Sequence, residues 1–322
     1  MLLLIACVGV GTTVVGSGGD TGVGADSGTL DSTLDTADTA DTAETGDTGL
    51  PPPCTAWGDP VQTGLVEDVE LNEISGVIPS LLNPGALWVV EDHGNEAAVY
   101  ALDELGVLLA TVTIEGVENE DMEDLDLVPC GEATCIVVAD VGNNGKDRDD
   151  LALVVFEEPK LDGVTLSFSV VADRYRFTFP GVEDSESLTH TNDGRFVIAT
   201  KRTDKTTGVY TIPAFTDDAV ASLIGELVTA DEDDEGAGGL VTSASMWPDQ
   251  SRLLLRTYQY AREWTLPDGV DTIGTATYTD IEAPVMPHVE AVGYDTVRLG
   301  YWTIPEAPLD ATSPVWWVPC TM

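Results

Sequence analysis

A five-fold repeat limits what this chain can fold into more than any other feature of its sequence. An aromatic residue is followed three positions later by proline, or once by aspartate, in YALD (100–103), FEEP (156–159), YTIP (210–213), WTLP (264–267) and WWVP (316–319). The aromatic residues lie 56, 54, 54 and 52 residues apart. Such regular spacing predicts a chain built from structural units of about 54 residues.

Each unit carries two β-strand signals ahead of its aromatic residue, and helical periodicity is nearly absent. The runs directly upstream are LWVVED (87–92), CIVVAD (135–140), FVIATK (196–201), LLLRTY (253–258) and VRLGYW (297–302). A shorter strand precedes each run, as ISGVI (74–78), EDLDLV (123–128), ESLTH (186–190), SASMW (243–247) and EAVGY (290–294). Turn signals between the two strands, such as NDG (192–194), indicate antiparallel hairpins.

These units predict an all-β fold, a five-bladed β-propeller with three or four antiparallel strands in each blade. Residues 108–114, 173–179 and 275–281 are β-rich and supply examples of the fourth, outer strand. A six-bladed propeller and a two-sheet sandwich are the alternatives.

The last unit ends after its third strand, VWWVP, so another segment must complete the fifth blade. We expect residues 61–71 to run antiparallel beside it, which would place Cys54 near Cys320. Four cysteines beyond Cys7 allow three pairings, and the short separation of Cys130 from Cys135 favours that pair. Both arguments leave Cys54–Cys320 as the second disulfide.

The N-terminal residues have a different character. Residues 1–7, MLLLIAC, resemble the end of a bacterial lipoprotein signal, in which Cys7 would carry the lipid. No positively charged segment precedes them, so a start upstream of Met1 and a misassigned N-terminus without export meaning both stay open. Residues 8–53, rich in Gly, Ser, Thr and Asp, predict a disordered tether of roughly 35–40 Å average reach. We expect the folded domain over 54–322, in an exported lipoprotein at the cell surface or outer membrane.

The formal net charge of −44 at pH 7 narrows the choice of partners. All 13 Lys and Arg residues lie between Lys146 and Arg298, so no basic arm offers itself to phosphates, and we expect no nucleic-acid partner. An acidic surface also repels anionic membranes, which leaves the lipid as the only expected membrane contact. Its carboxylates are available for divalent cations, and Ca²⁺ is the expected cofactor of a monomer.

The starts of the innermost strands of a propeller form a ring at one mouth of the central channel. Here they carry oxygen donors from every blade, Ser75, Glu123, Glu186, Ser243 and Glu290. Glu73 and Thr242 are alternatives in blades 1 and 4, because the register is open by one or two residues. Calcium binds about six to eight oxygens, so the ring predicts a calcium site. The competing interpretation is a solvated acidic rim.

The ends of the second strands give a second ring at the same mouth, Asp92, Asp140, Lys201, Arg256 and Tyr301. Lys201 and Arg256 would bind an anionic or polyol ligand, or they would only neutralise neighbouring acids. His93 and His288 are candidates for a general acid or base, with simple exposure as the alternative. His190 is expected to be buried packing.

The order Ser, Glu, Glu, Ser, Glu at the strand starts resembles the central calcium ring of the calcium-activated nucleotidases (apyrases), which are five-bladed propellers. The stretches 84–94 and 122–144 are also similar to secreted bacterial phytase-like and esterase-like propellers. The resemblance implies a calcium-binding role for the five ring residues, Ser75, Glu123, Glu186, Ser243 and Glu290. Nucleotide hydrolysis carries over less directly, because the shared motifs are short.

Taken together, these features predict a surface-tethered, calcium-binding propeller whose mouth binds a small anionic or polyol ligand. Hydrolysis of phosphate esters, nucleotides, lactones or other esters is a candidate activity. The alternative is a non-catalytic propeller that binds a surface glycan or protein and uses calcium only for structure. The sequence holds no G-x-S-x-G, H-E-x-x-H, phosphate-binding glycine loop or EF-hand spacing.

Overall fold

The structure is a computed structural model that describes residues 50–68, 70–231, 233, 236–284, 286–307 and 311–321. The chain divides into two units, Met1–Asp47 and Thr48–Met322, and the described residues all belong to the second. Cys7 and residues 8–49 of the predicted tether lie outside the described residues. Over the described ranges, no helix is long and apolar enough to cross a membrane.

The described strands form five sheets, which are the five blades of a propeller. The first two strands, β1 (Ala56–Trp57) and β2 (Val61–Val66), belong to the last blade. Blade 1 contains, from the axis outward, β3 (Ile74–Pro79), β4 (Ala86–Glu91), β5 (Ala98–Asp103) and β6 (Leu108–Glu115). Blade 2 contains β7 (Met122–Cys130), β8 (Ala133–Asp140), β9 (Ala152–Glu157) and β11 (Asp173–Thr178). Each of these two blades gains a short parallel edge strand, β10 (Ser167–Val171) on β6 and β15 (Ala219–Val220) on β11.

The remaining blades follow the same antiparallel order. Blade 3 contains β12 (Thr189–His190), β13 (Arg195–Ala199), β14 (Thr206–Pro213) and β16 (Ser222–Val228). Blade 4 contains β17 (Val241–Met246), β18 (Arg252–Thr257), β19 (Ala261–Thr265) and β20 (Thr277–Asp280), with the 3-10 helix η1 (Val270–Thr275) between its last two strands. Blade 5 contains β21 (Val289–Asp295), β22 (Gly300–Pro305) and β23 (Ser313–Thr321), completed by β2 and β1.

The predicted closure of the ring is confirmed. β2 pairs antiparallel with β23, with Val61 opposite Trp317, and β1 pairs with the end of the same strand. Cys54 and Cys320 form a disulfide across this junction, and Cys130 and Cys135 form the second one. The C-terminal run VWWVPC is therefore the third strand of blade 5, held by the N-terminal segment.

Five buried apolar clusters fill the five spaces between neighbouring blades. One of them joins Trp88 of blade 1 to Ile136 of blade 2, and another joins Trp302 of blade 5 to Val77 of blade 1. The repeated aromatic residues lie in the third strands β5, β9, β14, β19 and β23. The fold consequently buries apolar surface around a complete ring, with no single central core.

Two strands differ clearly from the sequence prediction. The innermost strand of blade 3 covers only Thr189–His190 of the predicted 186–190. The second strand of blade 5 is Gly300–Pro305, shifted from the predicted 297–302. Asp295 Oδ1 accepts hydrogen bonds from the N–H groups of Val297 (3.0 Å) and Arg298 (2.9 Å), which turns these residues into a tight loop. Side-chain capping by Asp295 thus outweighs the β-propensity of Val297.

Asp124 of β7 is buried and joins the innermost strands of three blades. Its Oδ2 accepts hydrogen bonds from Leu188 N (2.8 Å) of blade 3 and from Ala244 N (3.2 Å) and Ser243 Oγ (3.1 Å) of blade 4. The innermost strands also approach closely, since a side chain on Gly293 would lie 2.2 Å from Val77 O. Asp124 therefore links blades 2, 3 and 4 through one carboxylate.

Candidate metal centre

Every blade has a β-bulge of one residue near the start of its innermost strand. The residues at these bulges form a ring at one mouth of the channel. In four blades the strand pairing skips one residue on the innermost strand. In blade 3 the bridge Ser185–Thr200 and the pair Thr189–Val197 are out of register by the same one residue. We call the residues at these positions the bulge ring: Ser75, Glu123, Glu186, Thr242 and Glu290. All five are buried, and a bulge is a common means of re-aiming side chains at a site.

The bulges decide the register that the sequence left open. The bulge of blade 1 falls on Ser75 rather than Glu73, and the bulge of blade 4 falls on Thr242, the stated alternative to Ser243. Ser243 lies one residue further along β17 and donates its hydroxyl to Asp124. Thr242 Oγ1 donates to the carbonyl of Glu290 at 3.0 Å. Both blade 4 hydroxyls thus donate hydrogen bonds within the protein. Blade 4 therefore has fewer free oxygen ligands for a metal ion than the sequence predicted.

Backbone hydrogen bonds bring more polar residues to the level of the bulge ring. The residue two before the bulge accepts a bond from the residue that follows the second strand, as in Asp92 N to Glu73 O (2.9 Å) and Glu306 N to His288 O (2.8 Å). The same bond joins Val141 N to Asp121 O and Lys201 N to Asp184 O. Carboxylates consequently crowd the mouth, with Lys201 among them.

One side of the mouth, which we call the acidic half, consists of Asp92, Asp121 and Glu123. Ligand atoms of Asp92, His93 and Asp121 lie within 4.8 Å of one another. His93 Nδ1 is 2.8 Å from Asp92 Oδ1 and 3.6 Å from Asp121 Oδ1. Ser75 Oγ donates to Glu123 Oε2 at 3.1 Å, whereas the buried Glu123 Oε1 has no hydrogen-bond partner among the described residues.

Gly142 shows that two of these carboxylates aim at one place. A side-chain carbon at Gly142 would lie 2.2 Å from Glu123 Oε1 and 2.3 Å from Asp121 Oδ2. Only glycine fits at this position, and its missing side chain leaves the two oxygens facing a shared space.

The electrostatics of the acidic half follow from burial and from the charges of neighbouring carboxylates. Burial, with the hydrogen bond and charge of Asp92, raises the pKa of Asp121 to about 7. Burial raises the pKa of Glu123 well above its usual range, and the charges of Asp92 and Asp121 add to the effect. Like charges in a low-dielectric site disfavour ionisation, and a bound cation reverses this effect.

The opposite side, which we call the lysine half, consists of Glu186, Lys201, Tyr258 and Glu290. Lys201 Nζ pairs with Glu186 Oε1 and lies 3.1 Å from Tyr258 Oη. Tyr258 is hydrogen-bonded to Glu290, and burial together with the charge of Glu306 raises the pKa of Glu290 to about 8. Lys201 is thus held by carboxylates, so it neutralises acids here.

Three other residues of the predicted second ring are bonded to neighbouring groups of the protein. Asp140 is buried against Arg148 (2.9 Å) and Arg174 (3.5 Å), and its Oδ1 accepts a hydrogen bond from Asp121 N at 3.1 Å. Arg256 is buried and donates to Pro284 O at 3.4 Å. Tyr301 is the second residue of β22, at the opposite end of blade 5, and donates to Glu282 O. The shift of β22 moved Tyr301 away from the mouth.

The three histidines have different surroundings. His93 and His288 are 65% and 67% exposed, and they lie beside Asp92 and Glu306 respectively. The hydrogen bond to Asp92 raises the pKa of His93. His190, predicted to be packing, forms an ion pair instead, with Nδ1 2.8 Å from Asp126 Oδ2.

Sequence reasoning missed Asp121, Tyr258 and Glu306. Asp121 lies two residues before Glu123, the same offset as Glu73 from Ser75, and this offset was a usable signal. Tyr258 ends the predicted strand LLLRTY, two residues after Arg256, and the sequence prediction selected Arg256. Glu306 follows β22, so it became visible only once the strand was placed correctly.

A cleft of about 360 Å³ adjoins the lysine half. Its lining includes Tyr258, Gln259, Met286, Pro287 and His288. The rings of Tyr258 and His288 meet edge to face with centroids 5.6 Å apart. The mouth therefore combines buried carboxylates with a partly apolar recess beside them.

No family model matches the chain, and no curated protein sequence matches it. Among solved structures, the chain is similar to the PQQ-bound form of the aldose sugar dehydrogenase from Streptomyces coelicolor, with 11% identity and a TM-score of 0.45. That likeness covers 83% of this chain and 99% of the other. The five-bladed architecture stands on the sheets and closure described above. The resemblance to apyrases and to phytase-like and esterase-like propellers stays a prediction.

Proposed function

We propose that the acidic half binds a divalent cation through Asp92, Asp121 and Glu123, with Ca²⁺ as the first candidate. The observation that carries the proposal is Glu123, which is 1% exposed and whose Oε1 has no hydrogen-bond partner in the part of the chain that the structure describes. Leaving such a group unsatisfied costs about 1–3 kcal/mol, and more when it is charged. A cation shared with Asp121 would remove that cost.

The donor atoms favour calcium over softer metals. Carboxylate oxygens are the ligands that hard cations prefer, and three of these side chains converge. His93, the imidazole that a softer ion would use, is bonded through Nδ1 to Asp92. This bond leaves His93 as a neighbour of the cation and orients its ring.

We further propose that the ligand at the mouth is a polyol. A free anion would meet Glu186, Glu290 and Glu306 around the single Lys201, so the electrostatic field opposes it. Hydroxyl groups can bind calcium and also hydrogen-bond to carboxylates. The ring of Tyr258 and the adjoining cleft of about 360 Å³ offer an apolar surface to the carbon side of such a ligand.

Thermal melting of the full chain with millimolar calcium and with chelator tests the cation site. At about 100 times Kd, calcium adds roughly 2.7 kcal/mol, or about 5 °C for a domain of this size. We expect Glu123→Gln to abolish this shift. The matched control is Glu186→Gln, in the same bulge ring but paired with Lys201, and it should keep most of the shift. Identical shifts in all three proteins would overturn the proposal.

Hydrolysis is a second candidate function, favoured by the His93–Asp92 pair at 2.8 Å beside the proposed cation. An exposed imidazole oriented by a carboxylate can move a proton, while calcium polarises a phosphoryl or ester oxygen. Phosphate esters, nucleotides, lactones and carboxyl esters form the substrate panel. His93→Gln should lower kcat by about 100-fold or more and leave the calcium shift unchanged. Absence of turnover with an intact calcium shift would favour the non-catalytic glycan- or protein-binding alternative.

We also propose that the chain is exported and anchored as a monomer through a lipid on Cys7. Two disulfides support an oxidising compartment. Metabolic labelling with a fatty-acid analogue should mark the wild type but not Cys7→Ser. An unlabelled wild type would exclude the anchor.

A further inference from the structure

A second cleft, of about 140 Å³, opens between blades 2 and 3 at the end of the propeller opposite the mouth. We call this the far end. The apolar wall of the cleft consists of Val128, Pro129, Phe196, Ala214 and Phe215. The rings of Phe196 and Phe215 meet edge to face with centroids 5.8 Å apart. No residue of either half of the mouth lines it, so this cleft is independent of the proposed metal centre.

Three of the polar side chains at the cleft already have partners. Thr191 Oγ1 donates to Asp193 at 2.5 Å. Asn192 Nδ2 donates to Pro248 O at 2.8 Å. Arg195 pairs with Asp193 (2.7 Å) and with Asp271 (2.6 Å). None of these groups needs a ligand to satisfy it.

His190 is different, because only one of its ring nitrogens is used. Nδ1 lies 2.8 Å from Asp126 Oδ2, and the side chain is 23% exposed. Asp126 does not line the cleft, whereas His190 does. Nε2, on the other edge of the ring, has no hydrogen-bond partner among the residues that the structure describes. It is therefore the polar atom that His190 offers to the cleft.

We propose that this cleft binds a monocyclic phenol, with the ring against Phe196 and Phe215 and the hydroxyl on His190 Nε2. The volume sets the size, since an apolar cavity of roughly 150 Å³ in another protein holds one benzene ring. The hydroxyl suits His190 because it can donate to a neutral imidazole and accept from a protonated one. A carboxylate is disfavoured by Asp126, Asp193 and Asp271 nearby.

The experiment is a titration of the full chain, labelled with ¹⁵N in its histidines, with phenol and separately with toluene. Toluene has the same shape but no hydroxyl. We expect a saturable shift of the His190 Nε2 resonance with phenol, with Kd on the order of 1 mM. Toluene should bind about 3–10-fold more weakly, the usual worth of one hydrogen bond. Unsaturable phenol shifts, or equal affinities for the two probes, would overturn the proposal.

Two variants separate binding from folding. Ala214→Leu fills the cleft without touching the His190–Asp126 pair, and it should weaken phenol binding by at least about tenfold. His190→Phe removes the hydrogen-bonding nitrogen, and it should reduce phenol affinity to the level of toluene. Val297→Ser, at an exposed far-end position, is the matched control and should bind phenol like the wild type. Wild-type phenol affinity in Ala214→Leu would show that phenol binds elsewhere.

Discussion

The molecule contains the same side-chain pair twice, once at each end of the channel. His93 and Asp92 lie at the mouth, and His190 and Asp126 lie at the far end, with Nδ1 and a carboxylate oxygen 2.8 Å apart in both. The first imidazole is 65% exposed and the second 23%. Equal geometry thus occurs in two very different environments.

The surroundings give the two pairs different chemistry. At the mouth, neighbouring carboxylates have raised pKa values because they are buried together. A positive charge would therefore stabilise their ionised forms. At the far end, apolar rings face a cleft in which the charged groups already have partners. Both disulfides and the cluster of Trp57, Trp247, Tyr294 and Tyr301 also lie at the far end. Burial and the neighbouring side chains, rather than the histidine–aspartate pair itself, thus decide what each histidine can do.

The largest expected effect concerns the covalent links of the far end. Replacing Cys54 and Cys320 with serine opens a link across 266 residues and should cost about 5 kcal/mol of unfolding free energy. The same change at Cys130 and Cys135 releases a separation of only 5 residues and should cost about 2 kcal/mol. Urea unfolding under non-reducing conditions measures both. Equal losses would contradict the role of Cys54–Cys320 in closing the ring.

Substitution of Asp124 tests how much the link among blades 2, 3 and 4 through one carboxylate contributes to stability. Asp124→Ala leaves the buried N–H groups of Leu188 and Ala244 without their carboxylate acceptor, and it should cost about 3–4 kcal/mol. Asp126→Ala, on the same strand, removes the far-end partner of His190 and the acceptor of Leu127 N, and it should cost about 1–2 kcal/mol. Chemical unfolding of both variants compares them, and a larger loss in Asp126→Ala would contradict the bridging role of Asp124.

The pH dependence of stability should sharpen the contrast. Asp121 and Glu290 have folded pKa values of about 7 and 8, above their ordinary values of 3.8 and 4.5. The folded state therefore binds protons more tightly, and the cation-free protein loses stability as pH rises from about 4 to about 8. Calcium should offset the loss, so the difference in Tm with and without calcium should widen from pH 6 to pH 8. A difference that narrows over this range would contradict the proposed site.

The smallest expected effect compares the two histidines directly. Burial lowers the pKa of His190, but Asp126 more than compensates, and the net pKa is raised. His190→Gln should therefore cost about 1 kcal/mol below pH 6.5, and less as pH rises through the raised folded pKa. His93→Gln, at an exposed position, should cost less than about 0.5 kcal/mol. Thermal melts at pH 5.5 and pH 8.5 separate the two, and equal costs would remove the distinction between the ends.

Much of the fold was predictable because propeller blades repeat. The aromatic residues at regular intervals mark the third strands, and the truncated last unit predicts closure by residues 61–71 and the Cys54–Cys320 disulfide. The shift of β22 was not predictable from strand propensity, because it depends on how Asp295 caps its own turn.

The candidate site was predictable only in part. The five strand starts pointed to the mouth, and Glu123, Glu186 and Glu290 do lie in the bulge ring. The sequence could not distinguish Ser243 from Thr242, because a one-residue bulge changes which side chain faces the axis. It also could not separate Lys201, held by Glu186, from a lysine free to bind an anion.

The sequence by itself determined the number of blades, the covalent pairing and the excess of acid at one mouth, because these depend on spacing and composition. Only the tertiary structure decided which carboxylates lie together at the mouth and which histidine lines an apolar cleft. Those outcomes depend on bulges, side-chain caps and contacts between blades that are distant in the chain. A shift of one residue in strand register changes which side chains face the axis. The β-propensity of the local sequence is too weak to fix that register.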